Sequence, residues 1–432
     1  MSFLSWLKKR IRKKKPAGRG RSLIASEDPV SGPDALRIQQ TLAPALSVPL
    51  MAVAGATYVS KADYEERQQS LMTVLYAADP QMCSSQEWLA VFRHLFRNRC
   101  LRASGIARDK AVARAFADAR QEGADLETLN AGFTAAIDQG DLDFAKSCLD
   151  RLLAIRRLHP GYRHLLEVCY RIHAGMPDGA MQGLEEGRHF SNPKYLRRDF
   201  MDYIRGKSVA VVGPASSAHL NGEEIDSFDV VVRPNCAGPV PEEAKSYAGT
   251  RVAVSAYANG ILKLAGPDKE DSPVLKWVTD LDWVLFKKTT ERMHPKIEAT
   301  GKVVIGAVDS LIFHGAHNLM PFCVLTLLGY GPSRIKFFNS NFYFSPTVYA
   351  AGYLKNILNE DRHKKLGDME AKLHILLGSL AAHDCVAQVH LMRQLHRAGV
   401  VELDAESLMV VSLSTEDYLA GLERIYIHPT LP

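Results

Sequence analysis

The sequence predicts an all-α helical-hairpin domain followed by an α/β domain on a Rossmann-like, mostly parallel sheet. Three observations predict it. Six short β-branched runs recur between residues 208 and 340, interleaved with and followed by apolar helical stretches. Residues 61–200 are helical by pattern. At 432 residues the chain is also long for a single core.

The elements follow in order. Residues 1–22, MSFLSWLKKRIRKKKPAGRGRS, hold nine Lys/Arg and no Asp or Glu. As a helix, Phe3, Leu4, Leu7 and Ile11 share one face with Trp6 beside it, and basic residues follow. The expectation is a basic amphipathic leader resting on an anionic membrane surface, each cation near it contributing on the order of 1 kcal/mol. The plainer alternative is a disordered basic leader. The apolar part is too short for a secretory signal. Residues 23–60 form a connector. Its stretch 38–60 is uncharged, but Pro44 and Pro49 interrupt it, which favours an extended segment over a membrane span.

In residues 61–200, Leu142, Ala145, Leu149, Leu152 and Leu153 fall on one helical face. Gly105, Gly140 and Gly175 are 35 apart, and Pro160 and Pro193 are 33 apart. A period near 34 resembles tetratricopeptide-type hairpins, which serve protein contact or pack on a neighbouring domain. Residues 201–432 form the second domain. Strands are expected at 208–213, 229–233, 251–257, 283–288, 302–307 and 334–340, and helices at 320–328, 349–358, 370–380 and 386–398. In such sheets ligands bind beyond the carboxyl ends of the strands.

Composition narrows the class. Hydrophobic content of 47% and charged content of 23% suit a soluble globular protein. The net charge of +5 belongs to the leader; without its nine cations the other 410 residues carry −4. That argues against a nucleic-acid-binding face. Seven scattered cysteines with no C-x-x-C read as reduced thiols of a cytoplasmic protein.

The densest signal is SVAVVGPASSAHLNGEEIDSFDVVVRPN, 208–235. A strand meets Gly213-Pro214, passes small polar residues and returns as a strand ending Arg233-Pro234-Asn235. Gly213 allows close backbone approach, and Ser216 and Ser217 offer hydroxyls beside turn N–H groups, which suits ribose or phosphate. By physics alone an ordinary strand-to-helix turn is the plainer reading. The run is not G-x-G-x-x-G, so no dinucleotide site is expected. Two further stretches follow. HNLMPFCVLTLLGYGPSRIKFFNSNFYFS (317–345) is an apolar helix and a strand between polar ends. HDCVAQVHLMRQLHRAGVVELD (383–404) opens on a histidine at a helix entrance.

In this order the three stretches resemble the sialyl motifs of the eukaryotic-type sialyltransferases, glycosyltransferase family 29, with this chain a bacterial-like member. The likeness spans 208–404. The large motif matches Val211-Val212-Gly213, Gly222, Glu224-Ile225-Asp226-Ser227 and Arg233-Pro234-Asn235. It implies a GT-A-variant fold in which Gly213, Ser216, Ser217 and Asn235 hold the cytidine monophosphate (CMP) part of a donor. The small motif implies that His317 and Asn318, with Asn339, Ser340, Asn341 and Tyr343, line the pocket. Capping and turning the chain is the alternative for the last four of these.

The very short motif implies that His383 is the general base. An imidazole with a pKa of about 6.5 accepts a proton near neutrality. This sequence has Pro214 and Ser217 where the family usually has Asn, and Gln388 where it has Glu. Asp384 is then the carboxylate at hand to tune the imidazole. The family's aromatic-rich histidine motif has no match, so its phosphate contact is unassigned.

The resemblance implies an inverting glycosyltransferase of polysaccharide biosynthesis. Its donor is a CMP-activated acidic sugar (sialic acid, a related nonulosonate or Kdo), its acceptor a glycan or glycolipid, and it needs no cofactor or metal. With the leader, it implies a cytoplasmic protein peripheral on the inner membrane face. Two alternatives stand beside it. One is a metal-dependent nucleotide-diphosphate-sugar enzyme using Asp280-x-Asp282, since two carboxylates so spaced can share a hard cation. The other is a non-catalytic helical-repeat adaptor, motivated by Gln388, Pro214 and the unmatched motif.

Overall fold

The computed structural model describes residues 58–156, 158, 160–175, 198–257, 273–287, 295–305, 312–346 and 369–431. The leader, nearly all of the connector, Pro193 and the helix expected at 349–358 lie outside them.

The helical half contains α1 (Lys61–Ala77), α2 (Ser85–Arg97), α3 (Leu101–Arg120), α4 (Leu126–Gln139), α5 (Leu142–Leu153) and α6 (Pro160–His173). Local chemistry sets their ends. Ser84 and Glu87 form a reciprocal capping box on α2, and Asp125 and Asp141 accept backbone N–H groups at the starts of α4 and α5. On α5 the expected face is buried through Ala145, Leu149 and Leu152. The 35-residue glycine spacing has mixed origins. Gly140 and Gly175 take positive φ at helix ends, whereas Gly105 lies inside α3, where an added Cβ would meet Leu419 Cδ1 at 2.7 Å.

The second half holds seven parallel strands: β1 (Ser208–Val212), β2 (Val230–Pro234), β3 (Val254–Tyr257), β4 (Trp283–Phe286), β5 (Val303–Ile305), β6 (Arg334–Phe338) and β7 (Glu402–Leu403). Their order is β5-β4-β3-β2-β1-β6-β7. All six expected strands are present; the two-residue β7 is too short to show a period. Strands β1 to β5 are buried almost throughout, as their continuous Val/Ile/Leu content requires. The longer helices here are α7 (Leu319–Leu328), α8 (Met369–His383) and α9 (Cys385–Arg397).

One apolar core runs through both halves, from Trp88, Phe92 and Phe96 to Val209, Phe337, Leu377 and Leu419. Helix α8 packs on α2, and the helix Thr415–Leu422 packs on α3. Phe200 and Ile204, in the short helix Arg198–Ile204, join the same core fully buried. Buried polar links cross as well. Arg102 pairs with Glu423, and Arg108 pairs with both Asp138 and Asp384. All seven cysteines are free thiols, six of them buried. Among the described residues no helix is long and apolar enough to cross a membrane.

Candidate functional site

The strand order reverses between β1 and β6, because β2 lies on one side of β1 and β6 on the other. The loops leaving these two strands therefore part company at the carboxyl edge and open a crevice. The β1 loop is first tied to β6. Gly213 N donates to Phe338 O at 2.8 Å and Ala215 N to Asn339 O at 3.3 Å. A Cβ on Gly213 would lie 2.3 Å from Asn339 O. The close approach for which this glycine is needed is thus to the β6 backbone. Gly213→Ala is expected to destabilise the fold by about 1–3 kcal/mol, as overpacking against rigid backbone does. A thermal melt of the variant measures it, and an unchanged midpoint contradicts it.

A cleft of about 240 Å³ opens at this point. Asn235, His317, Asn318, Asn339, Ser340, Asn341, Tyr343 and His383 all line it. Four segments far apart in sequence therefore converge. Gly213 lines an adjoining recess of about 100 Å³ that shares Pro214, Ala215, Pro234 and Asn235 with the cleft. Ser216 and Ser217 line neither. Ser217 Oγ accepts from His219 N at 3.1 Å.

Backbone strain concentrates here. Of six non-glycine residues with positive φ among the described residues, four line the cleft: Asn235 (52°), Asn339 (53°), Phe342 (46°) and Tyr343 (67°). A fifth, Asp384 (44°), follows His383 directly. Such conformations cost of order 1–3 kcal/mol each and persist only where surroundings enforce them. The enforcement is visible. Tyr418 Oη donates to Phe342 O at 2.7 Å, Tyr426 Oη to Tyr343 O at 2.7 Å, and Ser407 Oγ to Ser340 O at 3.0 Å. Asp404 accepts Asn339 N at 2.7 Å. Asn341 Oδ1 accepts Tyr343 N at 3.0 Å, so this side chain also shapes the loop. Asn318 Nδ2 donates to Tyr343 Oη.

Some polar atoms are left over. Asn339 is fully buried and its Nδ2 donates to Tyr247 O at 3.0 Å, but its Oδ1 has no hydrogen-bond partner within the protein. Asn235 Oδ1 and His317 Nδ1 are in the same condition. These three orphaned atoms lie inside the wall of the cleft, where leaving them unpaired costs stability.

His383 ends α8. Its Nδ1 lies 2.7 Å from Ala316 O. A carbonyl only accepts, so Nδ1 carries the proton and the neutral ring keeps its basic lone pair on Nε2. The backbone beneath is pinned, since Gln388 Nε2 donates to His383 O at 2.9 Å. Gln388 thus holds the main chain here. The expectation that Asp384 tunes the imidazole is corrected. Its carboxylate accepts Arg108 Nε at 2.9 Å and caps α9 through Ala387 N at 3.1 Å. Its left-handed φ accompanies a carboxylate committed to Arg108 of the helical half and to the α9 cap.

The conspicuous motif residues outside the cleft are structural. Asp226 accepts the N–H groups of Thr250 and Arg251, and Arg233 donates to the carbonyls of Arg251 and Ala248. Asp280 and Asp282 flank the amino end of β4, at the sheet edge opposite the cleft, and Asp282 accepts Tyr203 Oη at 2.8 Å. Lys287, just past the carboxyl end of β4, lines the cleft and escaped the sequence reading. Its signal was the apolar run WVLF ending in lysine at the ligand-facing edge.

His317 is buried and its pKa is pushed down to about 3, by burial first and then by the Lys287 charge. Burial likewise lowers His173 to about 4 and holds His314 well below the ordinary value. These rings fold neutral but gain protons when unfolded below pH about 6.5, so the unfolded state binds more protons and stability is lost as pH falls. Between pH 6 and 5 the three together should remove about 3–4 kcal/mol per pH unit. Urea denaturation across that window measures the slope; a flat profile contradicts it.

No protein-family model matches the chain, and no curated protein matches it significantly.

Proposed function

We propose that the protein is an inverting glycosyltransferase using a CMP-activated acidic sugar, with sialic acid, a related nonulosonate or Kdo as the sugar and a glycan or glycolipid as acceptor. One observation carries the reading most: an imidazole held with Nε2 basic shares a cleft, at the β1/β6 reversal, with Asn235 and Asn339. The large-motif glycine, Gly213, lies in the adjoining recess.

The chemistry is as follows. Asn235, Asn318, Ser340 and Tyr343, which keep exposed surface in the cleft, hold the donor, with His317 and Asn339 forming the wall behind them. The bond between the sugar's anomeric carbon and the phosphate oxygen breaks, and its electron pair leaves with CMP. The acceptor oxygen bonds the anomeric carbon from the opposite face, inverting it. The acceptor proton passes to His383 Nε2. Charge on the leaving phosphate is met by fixed donors of the cleft. A GT-A-variant sheet, tetratricopeptide-like hairpins that meet a protein partner, and a leader resting on the inner membrane face complete the proposal.

The test offers purified protein CMP-, UDP- and GDP-activated sugars with EDTA present. CMP release from the CMP donor, undiminished by EDTA, is expected. Turnover only of nucleotide-diphosphate sugars with a divalent ion overturns the reading. So does a chain that no cytidine nucleotide stabilises thermally, and that result favours the adaptor.

A further inference from the structure

We propose that Thr415, His390 and Asp138 form a second active site that hydrolyses neutral carboxylic esters, with Thr415 the nucleophile, His390 its base and Asp138 the carboxylate that orients the ring. The site is separate from the β1/β6 cleft and does not rest on the reading given to that cleft. A cavity of about 610 Å³ opens between the helical half and α9, and all three residues line it. Thr415 begins the helix Thr415–Leu422 and is half-buried, while His390 and Asp138 are buried. Thr415 Oγ1 lies 2.9 Å from His390 Nε2. His390 Nδ1 lies 3.5 Å from Asp138 Oδ2 and has no hydrogen-bond partner among the described residues. That distance is long for a hydrogen bond, as the contacts of catalytic groups often are before substrate binds. A carboxylate only accepts, so the ring proton belongs on Nδ1, and Nε2 is left to accept the Thr415 hydroxyl. Hydroxyl, imidazole and carboxylate thus stand in the order that activates a nucleophile. Asp138 is fixed in place. Arg108 donates to both its oxygens, at 2.7 and 2.9 Å, and Gln139 Nε2 donates to Oδ2 at 2.8 Å. The Arg108 charge keeps this carboxyl ionised, so a proton taken up by the ring stays on the ring.

The lining sets the substrate class. Val112 and Phe116 of α3 offer apolar surface to an acyl group. Charges of both signs line the rest, Asp109 and Asp141 against Arg393 and Arg397, so no net charge selects an ionic substrate. In the reaction Thr415 Oγ1 bonds the ester carbonyl carbon as its proton passes to His390 Nε2. The N–H groups of Thr415 and Glu416, in the first turn of their helix, have no acceptor among the described residues and meet the oxyanion. The bond between carbonyl carbon and alcohol oxygen then breaks, and the alcohol leaves with the proton from His390. Water, deprotonated by His390 in its turn, attacks the acyl-threonine. The carboxylic acid departs and Thr415 regains its hydrogen. Ester and water are the only reactants consumed.

Hydrolysis of p-nitrophenyl acetate and p-nitrophenyl butyrate is followed with the full chain. The same protein is treated with a fluorophosphonate, which bonds phosphorus to an activated hydroxyl oxygen and expels fluoride. The wild type is expected to turn over both esters and to carry the phosphonyl group on Thr415, located by peptide mass spectrometry. Thr415→Val, which keeps the shape and loses the hydroxyl, and His390→Gln are each expected to lower kcat/KM by about 10²- to 10⁴-fold. Because the two residues act as a unit, the double variant loses little more than either single one. Thr415→Ser keeps both hydrolysis and labelling. Should His390→Gln misfold, the two Thr415 variants decide alone, since the Ser414 cap of their helix is untouched. Hydrolysis that survives in folded Thr415→Val overturns the proposal, because another nucleophile is then responsible. Label on a different residue overturns it too, as does a wild type that neither cleaves the esters nor takes the label. A chain that cleaves both esters through Thr415 yet releases no CMP leaves this site standing and removes the reading of the cleft.

Discussion

His383→Asn is expected to lower transfer by about 10²- to 10⁴-fold, the usual contribution of a positioned general base. The choice of asparagine matters. The ring Nδ1 donates to Ala316 O, and an asparagine Nδ2 reaches nearly the same point from the same backbone. The structural bond is kept while the basic nitrogen is removed. His383→Ala removes both, and loses about 1 kcal/mol more in stability for the missing hydrogen bond. If His383 acts as the base, the two variants are equally inactive although only one is destabilised. If the histidine merely pins α8 against the segment before α7, the asparagine variant keeps wild-type turnover, and the mechanism fails. CMP affinity should be unchanged in His383→Asn, because the ring meets the acceptor hydroxyl rather than the nucleotide.

How far the sequence led can be argued from particular residues. Strands β1 to β6 were legible because parallel strands buried on both faces are continuous apolar runs, and burial writes itself into residue type. The meeting of Asn235, Asn339 and His383 in one cleft was legible only through the order of motifs, since no local pattern joins residues 235 and 383. What stayed hidden was long-range. Gly213 looked ligand-facing, yet its constraint is the Asn339 carbonyl. Asp384 looked like the histidine's partner because it is adjacent in sequence, but a left-handed residue can turn neighbouring side chains toward different surroundings. Its actual partner, Arg108, is 276 residues away. Lys287 carried no motif; its place in the cleft lining comes from the strand order, which a list of strands does not reveal.

Arg108→Met is expected to destabilise the protein by about 3–5 kcal/mol, the loss typical when one partner of a buried ion pair is removed. Arg108 has no exposed surface and holds Asp384 through Nε and Asp138 through both terminal nitrogens, at 2.7 and 2.9 Å. Burial favours the protonated form of both acids. At Asp138 the charge of Arg108 and its two hydrogen bonds outweigh burial and hold its pKa below the ordinary range. At Asp384 burial prevails over Arg108 and the pKa is raised. Without the guanidinium both carboxyls rise above their unfolded values. The folded variant then binds more protons than its unfolded chain, so its stability falls as pH rises. The gap between wild type and variant should therefore widen from pH 5 to pH 8; His314, whose pKa the Arg108 charge helps to depress, also changes between the two proteins. Arg108→Met combined with Asp138→Asn and Asp384→Asn removes the orphaned charges, and the asparagine at 384 can still cap α9. That triple variant should regain much of the loss and show no widening. Urea denaturation of all three proteins at both pH values decides the matter. A single variant whose deficit is independent of pH would mean that the two carboxylates reach water once Arg108 is gone. Because Asp384 is the residue after His383, the single variant should also transfer sugar more slowly than its remaining folded fraction allows, as the histidine's support loosens with it.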